Sequence, residues 1–423
     1  MSEHILDELT WRGLIAQSTD LDALRRDIDA GPLTLYVGFD PTAPSLHLGN
    51  LVQILTAARF QRAGNRPLGL VGGATGLIGD PKPTAERTLN SPEVVAGWVD
   101  RIRAQVEPFL EFTGENAAVM VNNLDWTDGM SAIDFLRDVG KHFRVNRLLA
   151  KEAISTRLNS DAGISYTEFS YQLLQANDFL QLYRRHGCTL QTGGSDQWGN
   201  ITSGVDLIHR TEGKSVHAVA TPLITKADGT KFGKTETGTV WLDPELTSPY
   251  AFFQFWMNAD DRDVDSYLKV FSYASREEIE ALAEQTAERP AARAAQRALA
   301  EQVTTLVHGE AETRKVVLAS QALFGRGELR ELDEGTLTSA MAEAPTGEAR
   351  LADGPTVVDL LVSCGLADSR GAARRTVKEG GAYINNTKVT AEEWRPTSED
   401  ALAGGWLVVR RGKRHTAGVR LVH

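Results

Sequence analysis

Cysteine is scarce: Cys188 and Cys364 are the two in 423 residues, far apart and without a CxxC partner. That excludes a disulfide framework and a zinc-ribbon site, and leaves two buried, inert thiols as the expectation. Long apolar runs are lacking as well. No window approaches the roughly 18 consecutive apolar residues of a membrane span. The opening, MSEHILDELTWRG, has no basic region followed by an apolar one. A cytoplasmic protein with no membrane partner is expected. There is no repeat at periods of about 20 to 50 residues.

Positive charge is in deficit, with a formal net charge of −11. Spread evenly, that would argue against a nucleic-acid partner, but it is uneven. From Arg370 to His423 there are 11 lysines and arginines against 5 acidic residues, a local +6, which leaves 34 against 51, or −17, on the rest. An acidic body with a basic tail is the layout of an enzyme carrying a nucleic-acid-binding module. Solubility alone explains such a tail about as well.

What is present is alternation. LTLYVGF (33–39), 67–71 and AAVMV (117–121) read as buried strands, and LVQILTAARFQRAG after HLGN (47–50) reads as a helix with a glycine stop. Strands alternating with helices over the first 220 or so residues imply an α/β domain with a parallel sheet whose ligands bind at the strands' carboxyl ends. From 248 to about 323 the pattern is helical. The Glu-, Gly- and Ala-rich stretch that follows reads as a linker. The expected domains are 1–235 (catalytic), 236–330 (α-helical), 331–354 (linker) and 355–423 (a small terminal domain).

Four segments carry candidate chemistry, and each has a bland alternative. At 42–50, strand, turn and HLGN bring backbone amides, Gly49 and the His47 imidazole to a helix amino terminus, which suits a phosphate, although such a segment is more often simple turn chemistry. KADGTKFGKTETG (226–238) spaces Lys231 and Lys234 between glycines, a mobile clamp for polyphosphate or a solvated hairpin. In 163–187, Tyr171, Gln175 and Asp178 form a polar stripe on a helix apolar on both flanks, satisfied by a bound polar molecule or internally. LQTGGSDQWGN (190–200) places Asp196 beside glycines at a strand end, fit for ribose hydroxyls or for a tight turn.

In this order and spacing the four segments resemble the bacterial tyrosyl-tRNA synthetases, a class I aminoacyl-tRNA synthetase family, over essentially the whole chain. YVGFDPTAPSLHLGN is similar to the family's first signature and KFGKT to its second. The resemblance implies a Rossmann-like parallel-sheet catalytic domain, an α-helical anticodon-side domain and a small α+β αL-type RNA-binding domain. It implies a ligase that joins L-tyrosine to ATP, releasing pyrophosphate, and passes the tyrosyl group to tRNA(Tyr), with Mg²⁺ accompanying ATP and no protein metal site. The partners it implies are these substrates and a second copy of the chain through residues near 115–160, with no DNA.

Residue by residue, the resemblance assigns Tyr36 and Asp178 to the phenol, and Asp80, Tyr171 and Gln175 to the ammonium. Gln191 joins the tyrosine pocket and Gln197 faces the reacting carboxylate. Thr42, His47 and Asn50 go to ATP, together with Asp40 and Gly49; Gly194 and Asp196 go to the ribose. Arg87, Lys231, Lys234 and Thr235 close over the pyrophosphate, and Arg370, Arg374, Arg375 and Lys378 hold tRNA. Asn50 stands where many members have a second histidine, and DPKPTAER (80–87) is one residue shorter than usual, with its lysine at Lys82. The competing readings are a tryptophanyl-tRNA synthetase, disfavoured by the Tyr36–Asp178 pair, and a non-catalytic RNA-binding paralogue.

Overall fold

The computed structural model describes residues 3–80, 89–149, 154–155, 158–159, 163–230, 232–235, 238–412 and 415–422, with the backbone alone at 234 and 235. Lys82, Arg87 and Lys231 lie outside the described residues. The chain forms two compact units, Met1–Asp243 with Arg262–Ala281, and Pro244–Asp261 with Leu282–His423.

In the first unit six strands form one sheet: β1 (Gln17–Ser18), β2 (Thr34–Phe39), β3 (Arg66–Val71), β4 (Val119–Asn122), β5 (Cys188–Gly194) and β6 (His217–Thr221). Their order is β1-β6-β5-β2-β3-β4, with β1 the antiparallel edge and the others parallel. Buried on both faces, β2 and β3 are the near-continuous apolar runs TLYVGF and RPLGLV. Because β2 has β3 on one side and β5 on the other, the chain reverses its winding there, and a crevice opens beyond the carboxyl ends of β2 and β5.

Helix α1 (Leu48–Arg62) starts at His47, α2 (Tyr166–His186) ends at the left-handed Gly187, and α3 (Trp198–Glu212) follows β5. Helices α2 and α3 cross where a Cβ on Gly204 would come 2.9 Å from the Phe179 ring. Helix α4 (Val264–Phe271), which the sequence reading places in the helical domain, belongs to this unit. The second signature loop ends in a hairpin of β7 (Lys234–Thr235) and β8 (Gly238–Thr239). Cys188 is fully buried, and burial pushes its thiol pKa up.

In the second unit the helix Pro249–Met257 packs on α5 (Ala294–Leu323), with the Phe252 and His308 rings 4.8 Å apart. The segment expected as a linker is structured. Asp333 caps α6 (Glu334–Ala342), which buries Leu337, Ala340 and Met341. Strand β9 (Thr346–Arg350) then runs parallel to the last strand of a five-stranded sheet ordered β11-β10-β12-β13-β9, made with β10 (Ala382–Ile384), β11 (Thr387–Lys388), β12 (Trp406–Arg411) and β13 (His415–Val422). Helix α7 (Arg370–Lys378) covers this sheet through Ala373 and Val377. Among the described residues no helix is long and apolar enough to cross a membrane.

Candidate active site

A cleft of about 660 Å³ opens at the reversal point between β2 and β5. It gathers Tyr36, Asp40, Thr42, His47, Gly49, Asn50, Asp80, Tyr171, Gln175, Asp178, Gln191, Gly194, Asp196 and Gln197, every described tyrosine or ATP candidate apart from the backbone-only Lys234 and Thr235. Its volume is that of a small-molecule site. Arg370, Arg374, Arg375 and Lys378 stand on α7 in the second unit.

The deep end is built from β2, β5 and α2. Tyr36 and Gln191 are register partners on adjacent strands, and Tyr36 packs on Phe179 at 5.3 Å between ring centres. The Tyr36 hydroxyl, Gln175 Oε1 and Gln191 Oε1 are buried, line the cleft and have no hydrogen-bond partner. Buried polar atoms in a folded protein are nearly always paired, so three orphans around one cavity describe a ligand with complementary polar groups. Burial and the nearby Asp178 carboxylate raise the Tyr36 pKa, which keeps the phenol a proton donor.

Asp178 sits beside it, 3% exposed, with Oδ1 accepting from Trp126 Nε1 at 2.8 Å and Oδ2 from Asn123 Nδ2 at 3.0 Å. Burial pushes its pKa up to about 7, and these two hydrogen bonds oppose the rise. Asn123 also donates to Thr75 Oγ1 at 3.0 Å, Thr75 donates to Asp40 at 2.6 Å, and Tyr171 donates to the other Asp40 oxygen at 2.6 Å. One hydrogen-bonded chain thus runs from Trp126 to Tyr171. A Cβ on Gly72 would collide with Asp40 and Thr75, so a glycine is needed there.

Asp80 accepts from Gln197 Nε2 at 3.1 Å and Asn200 Nδ2 at 3.2 Å. After burial itself, the charges of Asp40, Asp80 and Asp178 all raise the Tyr171 pKa. No lysine or arginine is among the described residues lining the cleft. The Asp40, Asp80 and Asp178 carboxyls lining this end of the cleft suit an ammonium group.

At the mouth, His47 caps α1. Its Nδ1 accepts from the Gly49 amide at 3.0 Å, and its own amide donates to Asn50 Oδ1 at 3.1 Å. With Nδ1 accepting, the proton of the neutral ring lies on Nε2, and the imidazole is a donor at a helix amino terminus. A Cβ on Gly49 would come 2.9 Å from the imidazole Cε1, so this glycine makes room for the ring. Opposite, a Cβ on Gly194 would press on Asp196 Oδ1. Lys234 and Thr235 pair with Thr239 and Gly238 in the hairpin.

The sequence reading missed Thr75, Asn123, Trp126 and Asn200. Asn123 and Trp126 lie 55 and 52 residues from the aspartate they serve, and no local pattern announces them.

Residues 29–325 match the family model of class I tRNA synthetases (W and Y), and residues 337–417 match that of the tyrosine–tRNA ligase SYY-like C-terminal domain. A tyrosine–tRNA ligase from Streptomyces avermitilis is 69% identical over 418 residues, covering 99% of each chain. One from Streptomyces coelicolor is 68% identical with the same coverage. A C-terminally truncated mitochondrial tyrosyl-tRNA synthetase from Aspergillus nidulans superposes with a TM-score of 0.68 at 28% identity, covering 76% of this chain and 94% of that one.

Proposed function

The chain belongs to the class I tRNA synthetases of the tryptophan and tyrosine group and, within it, to the tyrosine–tRNA ligases, and on that premise we propose how its residues divide the work of joining tyrosine to tRNA(Tyr). The observation that carries the substrate reading is the unpaired, buried Tyr36 hydroxyl beside the Asp178 carboxylate. A phenol fills both: it accepts from Tyr36 and donates to Asp178. Phenylalanine would leave the Tyr36 hydroxyl buried and unpaired, at about 1–3 kcal/mol, and would bring Asp178 no donor beyond Trp126 and Asn123. An indole donates but cannot accept, so tryptophan satisfies half of the pair. Tyr171, Gln175 and Asp80 take the substrate ammonium, and Asp40 supports them through Tyr171.

In the first step the tyrosine carboxylate attacks the α-phosphorus of ATP. The new bond is carboxyl oxygen to phosphorus, and the bond that breaks releases pyrophosphate with its electron pair. The nucleophile is already ionised, so no protein base is required, and catalysis is positioning and charge stabilisation. His47 Nε2–H, Thr42 and Asn50 meet the phosphates at the start of α1, Gly194 and Asp196 hold the ribose, and Gln197 lies by the reacting oxygens. Lys231, Lys234, Thr235 and Arg87 take the charge of the leaving pyrophosphate. Among the described residues no three metal-ligating side chains gather at one point, and Mg²⁺ is proposed to arrive on the ATP phosphates. In the second step a hydroxyl of the terminal adenosine attacks the acyl carbon and AMP departs.

Tyrosine-dependent ATP–pyrophosphate exchange, run beside tryptophan and phenylalanine, tests the reading. Exchange with tryptophan would overturn the substrate, and none with any of the three would leave the RNA-binding paralogue. Replacing Trp126 with phenylalanine removes one donor that holds Asp178 ionised, so the acid limb of kcat/KM for tyrosine should move to higher pH. The rate at pH 7 should fall several-fold, and an unmoved limb would remove Trp126 from the site.

The basic tail is proposed to grip tRNA. Arg370 pairs with Asp359 at 2.7 Å, and Arg374 and Lys378 both reach Glu392 at 3.5 Å, with cationic side chains 62, 55 and 75% exposed. Exposed pairs of this kind are worth little, so phosphates can displace the carboxylates. Arg374→Ala with Lys378→Ala should cut tRNA charging about tenfold and flatten its salt dependence by about two charges, while tRNA-independent exchange continues. An unchanged salt slope would take α7 off the RNA. A homodimer through residues near 115–160 and a cytoplasmic location complete the proposal.

A further inference from the structure

Arg59 lies near the far end of α1, the helix that begins at His47, and it is a buried arginine at 2% exposure. Its Nη2 donates to the carbonyls of Val270 and Ser272, each at 2.8 Å, at the carboxyl end of α4. Arg12 joins it there, donating to Lys269 and Ala274 carbonyls at 2.9 Å and tied to Glu8. Two guanidinium groups on the negative end of a helix dipole fix that end in place. The arrangement is expensive as pure architecture. Arg59 Nε and Nη1 have no hydrogen-bond partner, Glu8 reaches Nε only at 3.9 Å with the Tyr273 ring 5.3 Å away, and burial lowers the guanidinium pKa to about 10. A well-packed apolar side chain usually serves stability better than a buried, half-satisfied charge.

What α4 carries suggests why the cost is kept. Phe271 stacks on Phe232 at 5.2 Å and the tilted Tyr267 ring packs on it at 4.9 Å, and Phe232 is the aromatic residue of KFGKT and lines the cleft. At the other end of α4, Asp263 accepts from the Ala227 amide at 2.9 Å, at the base of the same loop. Beyond the loop, Leu242 donates to the Leu46 carbonyl at 2.9 Å, one residue before His47. The second signature is therefore hung between α4 and the start of α1, and Arg59 joins those two supports from below.

We propose that Arg59 is a positioning residue for adenylate formation: it clamps α4 to α1 and so sets where α4 holds Phe232 of KFGKT. It makes no contact with tyrosine and acts on the loop alone. The inference rests on the tyrosine activation proposed above.

The test compares Arg59→Met, Arg59→Lys, Phe232→Leu and the Arg59→Met/Phe232→Leu double variant with the wild-type full-length chain. Tyrosine affinity by equilibrium dialysis should stay within about twofold throughout, while the single-turnover rate of adenylate formation at saturating ATP falls about tenfold or more in Arg59→Met and in Phe232→Leu. Arg59→Lys should recover part of the rate. The double variant should be no slower than the worse single, because both changes cut one support. Tryptic cleavage within 226–234 should quicken in Arg59→Met.

A wild-type rate in either folded single variant overturns the proposal, as does a parallel loss of tyrosine affinity or an additive double variant. Should Arg59→Met not fold, Phe232→Leu and Arg59→Lys decide: a wild-type rate in either overturns it. A wild-type chain that exchanges no pyrophosphate sinks the proposed function and this inference together, whereas normal wild-type exchange with unaffected variants sinks this inference alone.

Discussion

Replacing Asp178 with asparagine should lower kcat/KM for tyrosine in pyrophosphate exchange by about 10³-fold and bring it close to that for phenylalanine. The carboxylate has two oxygens, and Trp126 and Asn123 each donate to one of them. An asparagine offers one acceptor and one NH₂, so whichever way the amide turns, one donor faces another donor. The phenol proton loses its charged acceptor as well. A charge-assisted hydrogen bond of about 1.5–3 kcal/mol and an unsatisfied donor of about 1–3 kcal/mol together reach the roughly 4 kcal/mol that 10³ requires. A variant that still prefers tyrosine strongly over phenylalanine would move phenol recognition away from Asp178.

The same substitution has a stability signature of opposite sense. The folded-state pKa of Asp178 is about 7, against a reference value of 3.8. Between those values the folded chain keeps a proton that the unfolded chain has released, so this group's contribution to stability falls as pH rises through that window. Asparagine removes that fall. The variant still carries one unpaired buried donor, so its deficit in stability against wild type should shrink as pH rises from 4 to 8, while it stays nearly inactive at pH 8. In the wild type, kcat/KM for tyrosine should rise with pH through a midpoint near 7 as Asp178 ionises, and the variant should lack that limb.

How much of the fold is legible in the sequence follows from how local each signal is. Strand β2, the turn at Asp40 and helix α1 are contiguous, and each is announced by its own residues: an apolar β-branched run, a capping residue, a glycine stop. Tyr171, Gln175 and Asp178 were visible as one stripe because helical spacing puts them on one face. Trp126 and Asn123 were not, since their role exists only once β4 sets the following turn against α2. Arg59 reads in sequence as an ordinary cation in a helix's last turn, where it would help a C-terminus. Only folding shows that the terminus it holds belongs to α4. Residues 331–354 read as a linker for a related reason: α6 is short, and β9 is a weak strand whose partner β13 lies about 70 residues downstream.

His47→Ala should slow adenylate formation by about 10²–10³ with little change in tyrosine affinity, and His47→Asn separates the two jobs the residue holds. The imidazole caps α1 through Nδ1 and, in the proposed reaction, donates to the nucleotide through Nε2, so alanine removes both. Loss of the cap costs about 1 kcal/mol of stability, too little to unfold the chain and unable by itself to slow a chemical step a hundredfold. Asparagine caps a helix well, so His47→Asn should regain that stability. Its amide is too short to reach where Nε2–H points, so the rate should stay low. A rate that recovers with the cap would reduce His47 to a helix terminator. A rate that stays down in a stable protein would mean that the imidazole meets the charge building on the α-phosphate and the departing pyrophosphate, which is where a fixed donor lowers the barrier.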